Sequence, residues 1–228
     1  MGLGYTSPPL TSSFIREQLA QFNGLLGFEE KLIDGVLDTV DKWTETTLIS
    51  GTVTNDLGGG YKLATGVTMG GSALLKSNRN LGAENNIIGR VSSVIKKMVL
   101  ECTLVFSNKT VLSDDTLFGF AYNTGTKHGD VFSTGLTVDT HKIYAYSKQN
   151  AAENTVDIDS SITANVPFRL RMEFFENNTK FYIDGVLVAT LITEVSGWYH
   201  IVHFIKNDAA TDTSMWIRNL RIWGEIEE

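Results

Sequence analysis

The sequence predicts an all-β fold: a sandwich of two antiparallel sheets, preceded by a short N-terminal helical arm. Three observations lead there. From about residue 28 onward the chain is a series of short strand-like runs separated by turn residues, with no second helical pattern. The chain contains 21 Gly and only 3 Pro, which suits many tight turns and few rigid linkers. The stretch Pro167–Leu191, PFRLRMEFFENNTKFYIDGVLVATL, reads as strands joined by tight turns. Within it Phe168, Leu170, Met172 and Phe174 alternate with Arg169, Arg171 and Glu173, the pattern of a strand with one buried face. Asn177-Asn178 and Asp184-Gly185 then mark turns, the second being a strong hairpin dipeptide.

The elements follow in order. Residues 1–12 are small and polar, with Pro8-Pro9 holding the backbone extended. Residues 13–26 read as a helix: Ser12 or Ser13 can cap it, Phe14, Leu19, Phe22, Leu25 and Leu26 lie along one stripe, and Gly24 or Gly27 can end it. Such an apolar stripe needs a cover, on its own domain or on a neighbouring subunit. Glu45–Asn55 and Gly60–Thr65 are β-rich runs around the turn signal Asn55–Gly60. Strands are expected next at Ser72–Ser77, Lys97–Phe106, Thr116–Asn123, Asp130–Val138, His141–Lys148 and Thr155–Ile162, with Asn78–Asn86 as a loop. Phe168–Phe175, Lys180–Ile183, Val186–Leu191, Trp198–Ile205 and Ser214–Trp223 complete the set. In the closing run Trp216, Arg218, Leu220 and Ile222 alternate against Ile217, Asn219, Arg221 and Trp223. Trp43, Trp216 and Trp223 are expected in the core.

Pro167–Leu191 resembles the late hairpin of the concanavalin A-like lectin/glucanase superfamily, where a strand of the type "yrlrie" leads to "fYvDGvlva". Asp34–Thr47, DGVLDTVDKWTETT, is similar to the entry of that fold, and Ser214–Trp223 to its closing strand. The resemblance covers about residues 34–223 and implies a jelly-roll sandwich while leaving the activity open. The expected organisation is an arm over 1–27 and a lectin-like domain over 28–228.

Composition narrows the function. The chain has 228 residues, enough for one large β domain, and a formal net charge of -7. It contains no Lys/Arg run, so no nucleic-acid partner is expected. No apolar stretch reaches transmembrane length, so no membrane partner is expected either. Residues 1–27 lack the basic and apolar regions of a secretory signal. Cys102 is the single cysteine, so no intrachain disulfide can form, and its leucine neighbours place the thiol in the core. Met1–Thr6 weakly matches a myristoylation pattern, and Asn108-Lys109-Thr110 and Asn177-Asn178-Thr179 match a glycosylation acceptor. With no secretory signal, both asparagines read more simply as turn residues.

No catalytic residues are expected. Retaining glycosidases of the superfamily carry an E-x-D-x-x-E strand that sets two carboxylates about 5 Å apart on one face. Glu101 is followed by Cys, Thr and apolar groups, while Glu173 and Glu176, three apart on a strand, point to opposite faces. No metal site is expected: His200 and His203 also face opposite ways, and His128 and His141 are isolated. Asp34, Asp38 and Asp41 lack the spacing of a calcium loop, and no cofactor is expected beyond an optional structural calcium. The candidate ligand face lies on His141–Lys148. With Ile143 and Ala145 turned to the core, Lys142, Tyr144, Tyr146 and Lys148 share the other face, where an aromatic pair flanked by cations can stack on sugar rings. Packing against a second layer is the competing role for these tyrosines. Trp198 and Tyr199 join the candidates at a loop edge.

Together these observations lead to an expectation by elimination. The protein is read as a non-enzymatic structural or attachment component of a virus particle, such as a phage decoration or fibre protein. It would assemble in the host cytoplasm, contact other virion subunits through the arm, form a homo-oligomer and bind surface glycans. The alternatives are a glycan-binding module of a cellular protein, or a glycosidase or polysaccharide lyase with an unrecognised site.

Overall fold

The computed structural model describes residues 27–29, 43–56, 60–77, 95–121, 132–150, 152–175, 177–192 and 200–226. The chain order is β1 (Gly27–Glu29), β2 (Trp43–Leu48), β3 (Thr52–Asn55), β4 (Tyr61–Ala64), β5 (Ser72–Ser77), β6 (Ile95–Phe106), β7 (Leu117–Ala121) and β8 (Phe132–Asp139). It continues with β9 (Lys142–Gln149), β10 (Ala152–Asp157), β11 (Phe168–Phe174), β12 (Asn178–Ile183), β13 (Val186–Ile192), β14 (His200–Lys206) and β15 (Ser214–Ile226). Among the described residues the helical pieces are two 3₁₀ turns, Lys109–Val111 and Asp159–Ser161. An eight-stranded sheet runs β13-β12-β11-β6-β15-β4-β3, with β1 also paired to β15. A seven-stranded sheet runs β10-β9-β8-β7-β14-β5-β2. The expected two-sheet antiparallel sandwich is therefore present. The expected helix of residues 13–26 and the loop Asn78–Asn86 lie outside the described residues.

Alternation decides what faces inward. In β11 the expected core residues Phe168, Leu170, Met172 and Phe174 are all buried. They meet Phe106, Leu104, Cys102 and Phe120 from neighbouring and opposing strands in one core between the sheets. At one end of that core His203 stacks on Phe118 at 4.5 Å between ring centres, beside Trp43 and Tyr61. The β12–β13 hairpin turns on Asp184 and Gly185, both left-handed at φ 50 and 84, as a two-residue turn matched to strand twist requires. Asp184 Oδ1 also accepts the Arg169 backbone N–H at 2.8 Å, which ties this turn to the start of β11.

Three expectations need correction. Glu45–Asn55 is two strands rather than one. The chain turns at Ile49-Ser50, so β2 ends as the edge of the seven-stranded sheet and β3 begins as the edge of the eight-stranded one. Ile49 takes a left-handed φ of 62 there and is 71% exposed. Thr155–Ile162 is not one strand either. It ends at Asp157, and the Asp159–Ser161 turn follows because Asp159 Oδ1 accepts from the Ile143 N–H and the Lys109 ammonium. That turn drops Ile158 and Ile162 into the core.

The third correction falls on β15. Arg218 pairs with Thr103 but Arg221 pairs with Glu101, so β15 carries one extra residue against β6. Asn219 takes up the bulge at φ 54, a left-handed conformation that asparagine tolerates. The bulge inverts the alternation. Met215, Ile217, Leu220 and Ile222 all face the core, while Trp216 and Trp223 are only half-buried on the outer side with Arg218 and Arg221. Of the three tryptophans expected in the core, Trp43 alone is fully buried.

Candidate functional site

The bulge completes a polar face on the outside of the eight-stranded sheet. In β11 the outward positions are Arg169, Arg171 and Glu173; in β6 they include Lys97 and Glu101; β12 adds Tyr182. Register places Arg171, Glu101 and Arg221 in one row across β11, β6 and β15. Glu101 is only 3% exposed. It accepts from Arg169 NH2 and Arg221 NH2, each at 2.7 Å, on its two different oxygens. Glu173 is 7% exposed and accepts from Arg171 at 2.6 Å, Lys97 at 3.2 Å and the Tyr182 hydroxyl at 3.2 Å. Trp223 is flanked by the guanidinium groups of Arg171 and Arg221, 5.7 and 5.6 Å from its ring centre.

The electrostatics follow from the contacts. Burial pushes the Glu101 carboxyl up, but hydrogen bonds and charge from Arg169 and Arg221 outweigh it and hold the group below its ordinary 4.5. Glu173 behaves the same way: burial raises it, and Arg171 and Lys97 bring it below 4.5. Burial and the Glu173 charge push the Tyr182 phenol above 10.0, so it stays a donor. Beside this network lies a depression of about 460 Å³, within the range of small-ligand sites, lined by Glu101, Arg169, Arg171, Glu173, Tyr182, Asp184 and Gly185. The walls alternate fixed donors with fixed acceptors and carry one phenol ring.

Residue-by-residue reading of single strands does not find this site. It finds Glu101 and Glu173 each alone, because it cannot see that β6 and β11 are neighbours. Once paired, both carboxylates stand on one face, joined through Arg171, which lies 2.6 Å from Glu173 and 4.0 Å from Glu101. Both are ionised at neutral pH.

The candidates on the seven-stranded sheet are dispersed. Tyr146 is fully buried in a second apolar cluster with Leu117, Ala121, Val202 and Phe204, and its hydroxyl donates to Glu153 at 3.2 Å. Tyr144 is half-buried, so the two tyrosines do not form an exposed platform. Lys142 is exposed and pairs with Asp157 at 2.9 Å; Lys148 lies 3.7 Å from Glu153. Trp198, Tyr199, His128, Asp34, Asp38 and Asp41 lie outside the described residues. His203 faces the core, and His200 on the other side bonds the Ser77 carbonyl through Nδ1 at 2.7 Å. Among the described residues no group of three or more His, Cys, Asp or Glu is arranged to hold a metal ion. Asn108 serves as a turn residue: its Oδ1 accepts from the Thr110 N–H and hydroxyl.

No protein-family model matches the chain, and no curated protein matches it. Solved structures do. A structure of botulinum neurotoxin type C, described for its dependence on two ganglioside molecules, superposes with a TM-score of 0.55 at 14% identity, over 92% of this chain and 50% of that one. The carbohydrate recognition domain of Emp46p gives a TM-score of 0.54 at 14% identity, over 86% and 95%. The fold is a lectin-like β-sandwich. A sialidase also superposes, with a TM-score of 0.53 at 11% identity, but over only 17% of its own length. The chain spans about half the length of the neurotoxin structures it matches.

Proposed function

We propose that the protein is a non-catalytic glycan-binding domain whose ligand lies in the depression on the outer face of the eight-stranded sheet. The observation that carries this reading is the depression itself, where Arg171 and Tyr182 both donate to Glu173 and hold one another in place. A sugar presents hydroxyls that both donate and accept, and it binds best to groups already fixed in place. Tyr182 supplies a ring for the apolar face of a pyranose. The ionised state of both glutamates supports binding rather than hydrolysis. Likeness to a carbohydrate recognition domain and to a ganglioside-dependent neurotoxin supports the same reading.

The test is a glycan array run beside reducing-end release assays. Binding without release is expected, with Tyr182→Ala losing most of the binding while keeping its melting temperature. Release of reducing ends, abolished in Glu101→Gln or Glu173→Gln, would replace this reading with an enzyme. A place in a virus particle, reached by fold resemblance and elimination, would be made through the arm of residues 1–27, which apart from Gly27 lies outside the described residues. Co-purification with a capsid or tail is its test, and the glycan-binding reading does not depend on it.

A further inference from the structure

We propose that the ligand is an acidic glycan, and that Arg169 and Arg221 receive its carboxylate. This rests on the glycan-binding reading and names the class of sugar. The two arginines reach Glu101 from opposite sides. Arg221 stands directly across from it, while Arg169, opposite Thr103, reaches diagonally. Each engages Glu101 through a single terminal nitrogen. A guanidinium carries five N–H donors in a fixed fork, so most donors of both groups remain for a ligand. Their side chains are 58% and 51% exposed, against 4% for Glu101 between them. Glu101 thus acts as a buried spacer that holds two cationic forks at the surface.

The preference is local to the two forks. The depression is lined by Arg169 and Arg171 with Glu101, Glu173 and Asp184, and register sets Glu29 across from Arg221 and Glu225 across from Lys97, so the face as a whole carries no cationic excess. A neutral sugar takes only ordinary hydrogen bonds from the exposed donors of Arg169 and Arg221. A sugar carboxylate gains charge-assisted hydrogen bonds, which are shorter and stronger than neutral ones. A uronic acid and a sialic acid both carry that group.

Titration calorimetry with the full chain separates the possibilities. The probes are oligogalacturonate and its methyl ester, which differ only at the carboxylate, and sialyllactose and lactose, which differ by the sialic acid. At least one acidic probe should bind about tenfold or more tighter than its neutral counterpart, a gap of one ordinary ion-pair contact, and the gap should shrink as salt rises. Arg169→Gln and Arg221→Gln should each close most of it. Each variant leaves Glu101 one hydrogen-bonded arginine and Arg171 at 4.0 Å, and a thermal melt confirms that the variant is folded. Equal affinity for acidic and neutral probes, or full retention of the gap in both variants, overturns the acidic-ligand proposal and leaves glycan binding standing. No binding of any probe, together with a blank array, overturns both.

Discussion

At the scale of single residues, two buried titratable groups set how the protein responds to acid. His203 is fully buried, and burial alone depresses it from 6.5 to about 3. Its Nδ1 lies 2.7 Å from the Tyr61 hydroxyl, and its Nε2 has no partner. The unfolded chain takes up a proton at this residue below 6.5 and the folded chain does not, so stability falls as pH drops from 6.5 toward 3. One proton corresponds to a slope of about 1.4 kcal/mol per pH unit. His203→Leu should flatten the denaturant-derived stability profile in that window, and an unchanged slope would show that the ring is protonated in the fold. Glu101 acts at lower pH. Its carboxyl is held below 4.5, so its contribution is complete above that value and is lost as pH falls through the depressed native pKa. Glu101→Gln should cost about 1.5–3 kcal/mol at neutral pH, the range for hydrogen bonds to a charged group, and should lose less below pH 4.

At the scale of elements, backbone exceptions matter most. Asn219→Val should destabilise by about 1–2 kcal/mol, the penalty of a left-handed backbone at a side chain with a crowded Cβ, whereas Asn219→Gly should be close to neutral. Ile49→Gly should stabilise by about 1 kcal/mol, because an exposed branched residue there bears the same strain with no burial to offset it. Urea melts of the three variants check both statements. These positions also show what a sequence can carry. Alternation in Phe168–Phe174 and the Asp184-Gly185 pair define β11 and the β12–β13 hairpin without any tertiary information. The phase of β15 is invisible, since one extra residue at Asn219 exchanges inner and outer faces and leaves the composition unchanged. The site was illegible for a related reason: Glu101 meets Arg169 and Arg221 across 68 and 120 residues of chain. Period-two reading sees one strand at a time. Tyr144 and Tyr146 stood out because they share one strand, and the burial of Tyr146 depends on other parts of the fold.

At the scale of the whole molecule, the two sheets divide the work. The outer side of the seven-stranded sheet buries Leu117, Tyr146, Val202 and Phe204, while the outer side of the eight-stranded sheet carries the charged depression. The short β1 strengthens that second face by pairing with Arg221–Trp223 of β15, where β4 no longer reaches. Removing residues 1–26 should leave this pairing intact. Removing residues 1–30 strips it, and should lower the melting temperature by several degrees relative to the shorter deletion, since about 1 kcal/mol corresponds to 2–4 °C in a domain of this size. Equal melting temperatures would mean that β1 adds nothing to the sheet. The same pairing has a practical side. Gly27 sits across from Trp223, so among the described residues the chain enters β1 beside the stretch by which it leaves β15. Whatever is fused ahead of β1 or behind β15 is delivered to the neighbourhood of the charged depression from both directions. An affinity tag or immobilising linker joined directly ahead of Gly27 or behind Ile226 would crowd the surface being assayed, and a surface coupled through it would present the opposite sheet to the solution. Attachment through the Ile49-Ser50 turn, away from β1 and the end of β15, keeps the arginine face open.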